Sequence, residues 1–448
     1  MKTKVATGDP LPRHPWIFVV FIGVVAFGCS VIGTDDSVAI ATIIMVVAFV
    51  LFFARHMAFA LVALNSAGRD LELPILGNNY RPTVSVIVAC KNEGSVVDTL
   101  ARRLLGLDYP TELLQLFIVD DGSTDDTGER LDRWAAREAT LNVIHRLPGA
   151  GGGKSGALNE ALEFAVGEVI VVFDADHEPH RDVLLRLSRH FQDPNVSAVQ
   201  GRCSISNPGE TPLTELVAID YLAGYLVNEY GRQAVYRLPA YGGANCAVRR
   251  SSLMALGGWN PNTVTEDTDL TMQLILSGQR VRYDVTAVDE EEGVVTLTRF
   301  WRQRYRWARG HQQVWRDYRG QIWRSRHLSF LDKVETTMFL LVFHLPVISF
   351  FGMILMVLWL AGVITPQGQI DAYLLWTLLF LGPLLELGGG ILIGKAPRRW
   401  VWSLVLFLPL FFVSIMLCTK AWVDGMLGRP YTWVKTARSQ DHVKVSPP

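Results

Sequence analysis

Hydrophobic positions follow two regimes along the chain. Toward both ends they form long unbroken runs, at about residues 16–33, 38–64, 337–364, 372–393 and 400–423. Each is long enough to cross ~30 Å of hydrocarbon as a helix. Between about residues 81 and 333 no such run occurs, and short β-rich runs alternate with helical ones. Residues 84–90, 116–120, 142–145 and 168–174 read as strands; helices are predicted over about 94–105, 124–136 and 158–166. This β-α-β-α order implies a mostly parallel sheet covered by helices, with ligands at the carboxyl ends of the strands. Asp120, Asp121, Asp174 and Asp176 stand at those ends.

Polarity refines this plan. A fifth of the chain is charged (19%) although half of it is hydrophobic (50%), as expected of a water-facing body joined to membrane spans. The net charge of −1 argues against a nucleic-acid binder, which would carry a basic excess. The cysteines, Cys29, Cys90, Cys203, Cys246 and Cys418, are scattered without a C-x-x-C pair, so neither a disulfide framework nor a structural zinc site is expected. Lys2, Lys4 and Arg13 precede the first apolar run; no small-x-small cleavage site follows it, which disfavours a signal peptide. By the positive-inside rule the N-terminus and the central body are cytoplasmic, as is the basic loop 394–399, whereas loop 365–371 lacks Lys and Arg and is external. Five spans would put the C-terminus outside, yet the tail carries Arg429, Lys435, Arg438 and Lys444. A segment bent at Pro346 or Pro409 would remove the conflict. The expected organisation is spans over 1–65, an α/β body over 66–295, amphipathic interface helices over 296–336, spans over 337–425 and a tail over 426–448.

The candidate chemistry lies in five short stretches. Residues 299–310 have no Pro and no β-branched residue, and at helical spacing Gln303, Arg306, Trp307 and Gly310 share a face flanked by Arg302 and Arg309. That pattern suits either a basic amphipathic helix on anionic lipid or a flap over a diphosphate, with the Trp flooring an acceptor site. Asp174-Ala-Asp176 ends a buried strand, and carboxylates at i and i+2 of an extended chain can share a hard cation. The run from Gly149 to Ser155 invites a phosphate-loop reading, but Pro148 stands where that motif needs Gly; Lys154 remains available to a phosphate. Thr265-Glu-Asp267 precedes a helix, so one acidic residue serves either as a cap or, in Asp267, as a general base, with Glu266 and Asp269 as competitors. The loop Tyr241 to Ala247 is built of small residues that would admit a sugar. His177 and His180 read as surface residues or supports behind the site rather than zinc ligands.

Taken in order, Val119-Asp-Asp-Gly-Ser-Thr124, Asp174-Ala-Asp176, Thr265-Glu-Asp267 and Gln303-Arg-Tyr-Arg-Trp307 resemble the membrane-embedded processive glycosyltransferases of family 2. That group includes the hyaluronan, chitin, poly-N-acetylglucosamine and cellulose synthases. The resemblance covers roughly residues 82–310. It implies a GT-A-type α/β domain, nucleotide-sugar-binding and cytosolic, inserted between transmembrane helices of a multi-pass protein of the bacterial inner (plasma) membrane. It also implies a UDP-sugar donor, Mg2+ or Mn2+, inversion at the anomeric carbon, and a polysaccharide or glycolipid acceptor. Carried over residue by residue, Lys91, Glu93 and Asp121 (or Asp120) bind the uridine, Lys154 the pyrophosphate, and Asp174 the uridine or the metal. Asp176 ligates the metal and Asp267 is the base. Gln303 and Arg306 close over the diphosphate, while Trp307, with Cys246 and Glu266, meets the acceptor. Extension of a β-linked polysaccharide, passed through the protein's own helices past residues such as His344 and Glu386, is the reading expected; addition of one sugar to a membrane lipid is its alternative.

Overall fold

The computed structural model describes residues 34–66, 80–364 and 372–429. The run 16–33 and nearly all of the tail lie outside the described residues. Helix α1 (Thr34–Asn65) is the second apolar run. The predicted alternation follows as β1 (Val84–Cys90), α2 (Val97–Leu105), β2 (Leu114–Asp120), α3 (Thr127–Ala135), β3 (Leu141–His145), α4 (Gly153–Phe164) and β4 (Val169–Asp174). All three predicted helix starts differ from expectation, α3 beginning at Thr127 rather than 124. Helix α2 begins three residues late because 91–96 is a turn, and α4 begins at Gly153 rather than 158 because the glycine loop itself forms the helix N-terminus.

The second half is β5 (Glu178–Pro179), α5 (Val183–Ser188), β6 (Val196–Ile205), α6 (Pro212–Ala223), a π-helical turn Gly224–Glu229, α7 (Tyr230–Val235), β7 (Cys246–Arg249), α8 (Arg250–Ala255), α9 (Glu266–Leu276) and β8 (Arg280–Glu291). All eight strands form one sheet in the order β3-β2-β1-β4-β7-β6-β8-β5. The first four run parallel; β7 is antiparallel to both of its neighbours, and β6 and β8 are parallel. Strand β1 explains its own near-continuous hydrophobic run. Val84, Val86 and Val88 pack on one face with Leu100 and Leu104 of α2, and Ile87 packs on the other with Ala157, Leu158 and Ala161 of α4. A strand covered on both faces has no polar side to alternate with.

The body leads into α10 (Leu297–Arg324), α11 (Phe330–Leu341), α12 (Leu345–Leu360), α13 (Ala372–Ile393), α14 (Trp400–Ser403) and α15 (Phe407–Met426). Among the described residues, two helical stretches are long and apolar enough to cross a membrane, Asp36–Asn65 and Trp400–Met426. The run 337–364, expected as one span, is instead two helices meeting at 67°. Pro346 sits in the first turn of α12, where its missing N–H costs nothing but cannot continue α11. Glu386, expected along a polar path, is buried against a neighbouring helix, 2.7 Å from His56 of α1 and 3.4 Å from Asn228. A buried ion cluster ties the layers together: Glu335 of α11 lies 2.8 Å from Arg55 of α1 and 3.1 Å from Arg232 of α7.

Candidate active site

Strands β1 and β4 are neighbours with Ala89 opposite Asp174, so the turns that leave both strands open onto the same side of the sheet. They form the floor of a cavity of about 530 Å3. Lys91, Glu93, Asp121, Lys154, Asp174, Asp176, Glu266, Asp267, Gln303, Arg306 and Trp307 all line it. Asp120 and Cys246 are not on its walls. Cys246 is fully buried on β7 among Tyr241, Leu270 and Trp259, and burial pushes its thiol well above the ordinary range. It packs the core and meets no ligand space, because the small-residue loop turns its backbone, not this side chain, toward the cavity.

At one end of the cavity the turns that follow β1 and β2 are stitched together. The Asn92 amide donates to Ser123 Oγ at 2.8 Å, and Asn92 Oδ1 accepts from the Thr124 amide at 2.8 Å. Lys91 Nζ is 3.7 Å from Asp121, which Arg146 also holds. Of the two alternatives Asp120 and Asp121, only the latter faces the cavity; Asp120 accepts from the Ser123 amide at 3.0 Å and meets His145 Nδ1 at 3.1 Å, bracing the turn.

In the middle, Lys154 projects from the first turn of α4. Its ammonium lies 2.5 Å from Asp174 and 3.3 Å from Glu266, and it donates to the Gly243 carbonyl at 2.9 Å. Burial alone would depress this amine, but the two carboxylates outweigh it and hold its pKa above the lysine range. For Asp174 burial acts upward, and attraction to Lys154 and His177 prevails, so its carboxyl is held below the ordinary range. Burial raises Glu266 despite Lys154. Ligand atoms of Asp174, Asp176 and His177 all lie within 4.8 Å of one another. His177 is therefore buried beside the acidic pair rather than on the surface. Its Nδ1 is taken by Asp289 at 2.6 Å, which aims Nε2 toward Asp174, 3.9 Å away. His180 stays half exposed.

Asp267 stands in the first turn of α9, its Oδ1 accepting from the Thr268 amide at 2.5 Å and hydroxyl at 3.1 Å. Gly243, with φ +78°, lets the loop pass close by: a Cβ there would fall 2.8 Å from Asp267 Oδ2. Above, α10 presents Gln303, Arg306 and Trp307 as the helical spacing predicts, and Gln303 Oε1 is buried without a hydrogen-bond partner among the described residues. Arg302 is exposed, whereas Arg309 is buried and donates to the carbonyls of Ala421 and Arg429, so it anchors α10 to α15.

Several wall residues carry no local sequence signal. Tyr225, Asn228 and Glu229 come from the π-helical turn, a distortion often found at functional sites. Arg304 stacks over Trp307 at 4.2 Å and pairs with Asp220 at 2.5 Å. His311, Phe339 and Phe343 close the end between α10 and the bend that joins α11 to α12.

The family model "Glycosyl transferase family 2" matches residues 85–257. The chain is 37% identical over 282 residues (62% of this chain, 58% of the relative) to a beta-monoglucosyldiacylglycerol synthase of Synechocystis sp.. It is 34% identical over 235 residues (52% of this chain, 56% of the relative) to the probable glycosyltransferase YdaM of Bacillus subtilis. It thus spans a little over half the length of these relatives. A glucomannan 4-beta-mannosyltransferase of Arabidopsis thaliana is 26% identical over 384 residues, 82% of this chain and 67% of that one. Two of these are named as a diacylglycerol and a glucomannan glycosyltransferase, and not as the hyaluronan and chitin synthases that the motif set evokes. In fold, a mannosyltransferase of Pyrobaculum calidifontis, solved with GDP-mannose and Mn2+, superposes with a TM-score of 0.52 at 20% identity, covering 86% of this chain and all of that one (100%). The α/β body is accordingly of GT-A type, and residues 85–257 form a glycosyl transferase family 2 domain.

Proposed function

We propose that this protein transfers a single hexose from a UDP-sugar to a hydroxyl of a membrane lipid, inverting the anomeric carbon. The observation that carries the reading is that one cavity holds the acidic pair Asp174/Asp176, the carboxylate of Asp267 and the indole of Trp307, and ends among membrane helices. The Synechocystis relative, a beta-monoglucosyldiacylglycerol synthase, supports a lipid acceptor.

The uridine lies against the Lys91–Glu93 turn and Asp121. The carboxylates of Asp174 and Asp176 suit a hard divalent cation and would hold Mg2+ or Mn2+, with the His177 imidazole, within 4.8 Å of both, a further donor open to Mn2+. When bound, the ion offsets the negative charge of the diphosphate. Arg306 adds a guanidinium suited to phosphate oxygens, worth most in a cavity closed to water. Asp267 takes the proton of the acceptor hydroxyl as that oxygen attacks the anomeric carbon. The bond from that carbon to the diphosphate oxygen breaks, its electron pair leaving with UDP, and a single displacement inverts the centre. Thr268 orients Asp267 for this step through its two donors. Trp307 supports the acceptor beside the sugar. The body faces the cytoplasm of a bacterial inner membrane, where UDP-sugars are made.

A second reading, extension of a β-linked polysaccharide with export, draws on the similarity to glucomannan mannosyltransferases over 82% of the chain. The test is incubation of the purified full chain, in lipid nanodiscs containing dioleoylglycerol, with a panel of UDP-sugars and Mg2+ or Mn2+. A lipid bearing one hexose is the expected product; a sugar polymer would replace this reading with the second.

A further inference from the structure

Behind Arg304 a second cavity of about 150 Å3 opens between α6, α10, α13 and α15. Asp220, Arg304, Val342 and Phe343 line both cavities, so the Asp220–Arg304 ion pair is the partition between them. Apart from that pair and Ser414, every lining side chain of the annex is apolar or a cysteine, with Phe300, Leu387, Phe407, Phe411 and Leu417 forming most of the wall. Next to it, Trp402, Val405, Leu406 and Leu408 are exposed although apolar, as a surface facing acyl chains would be.

We infer that the annex is the seat of an acyl chain of the lipid acceptor, with the hydroxyl-bearing head group passing the Asp220–Arg304 partition to reach Asp267. The inference rests on the lipid-acceptor reading above and adds the part of the lipid that is recognised. A sugar polymer would need hydroxyl partners along its path, and the annex supplies only Ser414 and the partition. A hydrocarbon chain needs none, and its burial is favoured in proportion to the area removed from water. The annex meets the catalytic cavity at the residue that stacks on Trp307, so a chain seated there delivers its head group beside the acceptor platform.

Ser414 is the place to test this. Among the described residues its hydroxyl bonds only to the Leu410 carbonyl of its own helix at 3.1 Å, and a larger side chain there grows into the annex. Ser414→Phe should raise KM for dioleoylglycerol about tenfold, the effect of excluding roughly two methylenes. KM for dibutyrylglycerol and the affinity for UDP should stay as in the parent, and Ser414→Ala should match the parent with both lipids. Leu387→Phe, on the other wall, should give the same split and serves if Ser414→Phe loses UDP binding through misfolding. An equal loss with both lipids, or no change with either, overturns the annex while leaving the lipid-acceptor reading in place. If the parent protein glycosylates neither lipid but builds polymer, both readings fall together.

Discussion

Gly310 of α10 lies against Thr265, the residue that precedes α9, so closely that a Cβ on Gly310 would overlap the threonine side chain. This contact is where the helix bearing Gln303, Arg306 and Trp307 is seated on the turn bearing Asp267. Gly310→Ala is expected to destabilise the protein by about 1–3 kcal/mol through overpacking and to lower transfer activity. Thr265→Gly in the same chain should recover much of both, since glycine is accepted before a helix at little cost. Thermal unfolding and initial rates of the single and double variants check this; an unchanged Gly310→Ala protein would show that the contact does not seat α10 on the Asp267 turn.

Asp267→Asn keeps the shape of the side chain and removes its capacity to take a proton. Transfer should fall at least ~100-fold, in the range of general-base contributions, while UDP affinity by calorimetry stays within about twofold. Equal loss of both would mean that Asp267 holds the fold of the α9 turn instead.

Trp307→Ala removes the platform and the surface on which Arg304 rests at 4.2 Å. We expect KM for the acceptor to rise well beyond that for the UDP-sugar, since stacked cation–aromatic contacts contribute ~0.5–2 kcal/mol. A change confined to the donor KM would contradict this placement.

His311 packs edge-on against Phe343 and Phe339, ring centres 4.8 and 5.4 Å away, and burial pushes its imidazole down to about 4. In the unfolded chain the same group titrates near ~6.5. Between those values the unfolded state binds more protons, so stability rises with pH and is lost as pH falls from about 6.5 toward about 4. His311→Gln should flatten this limb in thermal melts taken across that window, and an unaltered slope would show that His311 is not the group responsible.

The parallel half of the sheet was legible because strands buried on both faces are written as short uninterrupted hydrophobic runs. Its carboxylates were legible because they end those runs. Cys246 misled for the converse reason: a small-residue loop shows that backbone approaches something, but not which side chain turns toward the space. Sequence left His177 between a surface residue and a support behind the site, because its partner, Asp289, is 112 residues away. The run 337–364 reads as one span because composition alone does not register a 67° break; the basic tail called for a bend somewhere, and Pro346 and Pro409 were equal candidates until packing placed it beside Pro346.

The sequence by itself determined the alternation of elements, the helical face shared by Gln303, Arg306 and Trp307, and the acidic strand ends, since each depends on residues close together in the chain. The tertiary structure alone decided that these stretches share a single cavity. It also decided that a π-helical turn and Arg304 complete the cavity and that an apolar annex lies behind Asp220. Those relations join residues 84 to 280 positions apart or more loosely through packing, as with Arg304 and Asp220 or Arg55 and Glu335. Packing is set by which faces remain to be buried once every element has formed, and no local pattern carries that information.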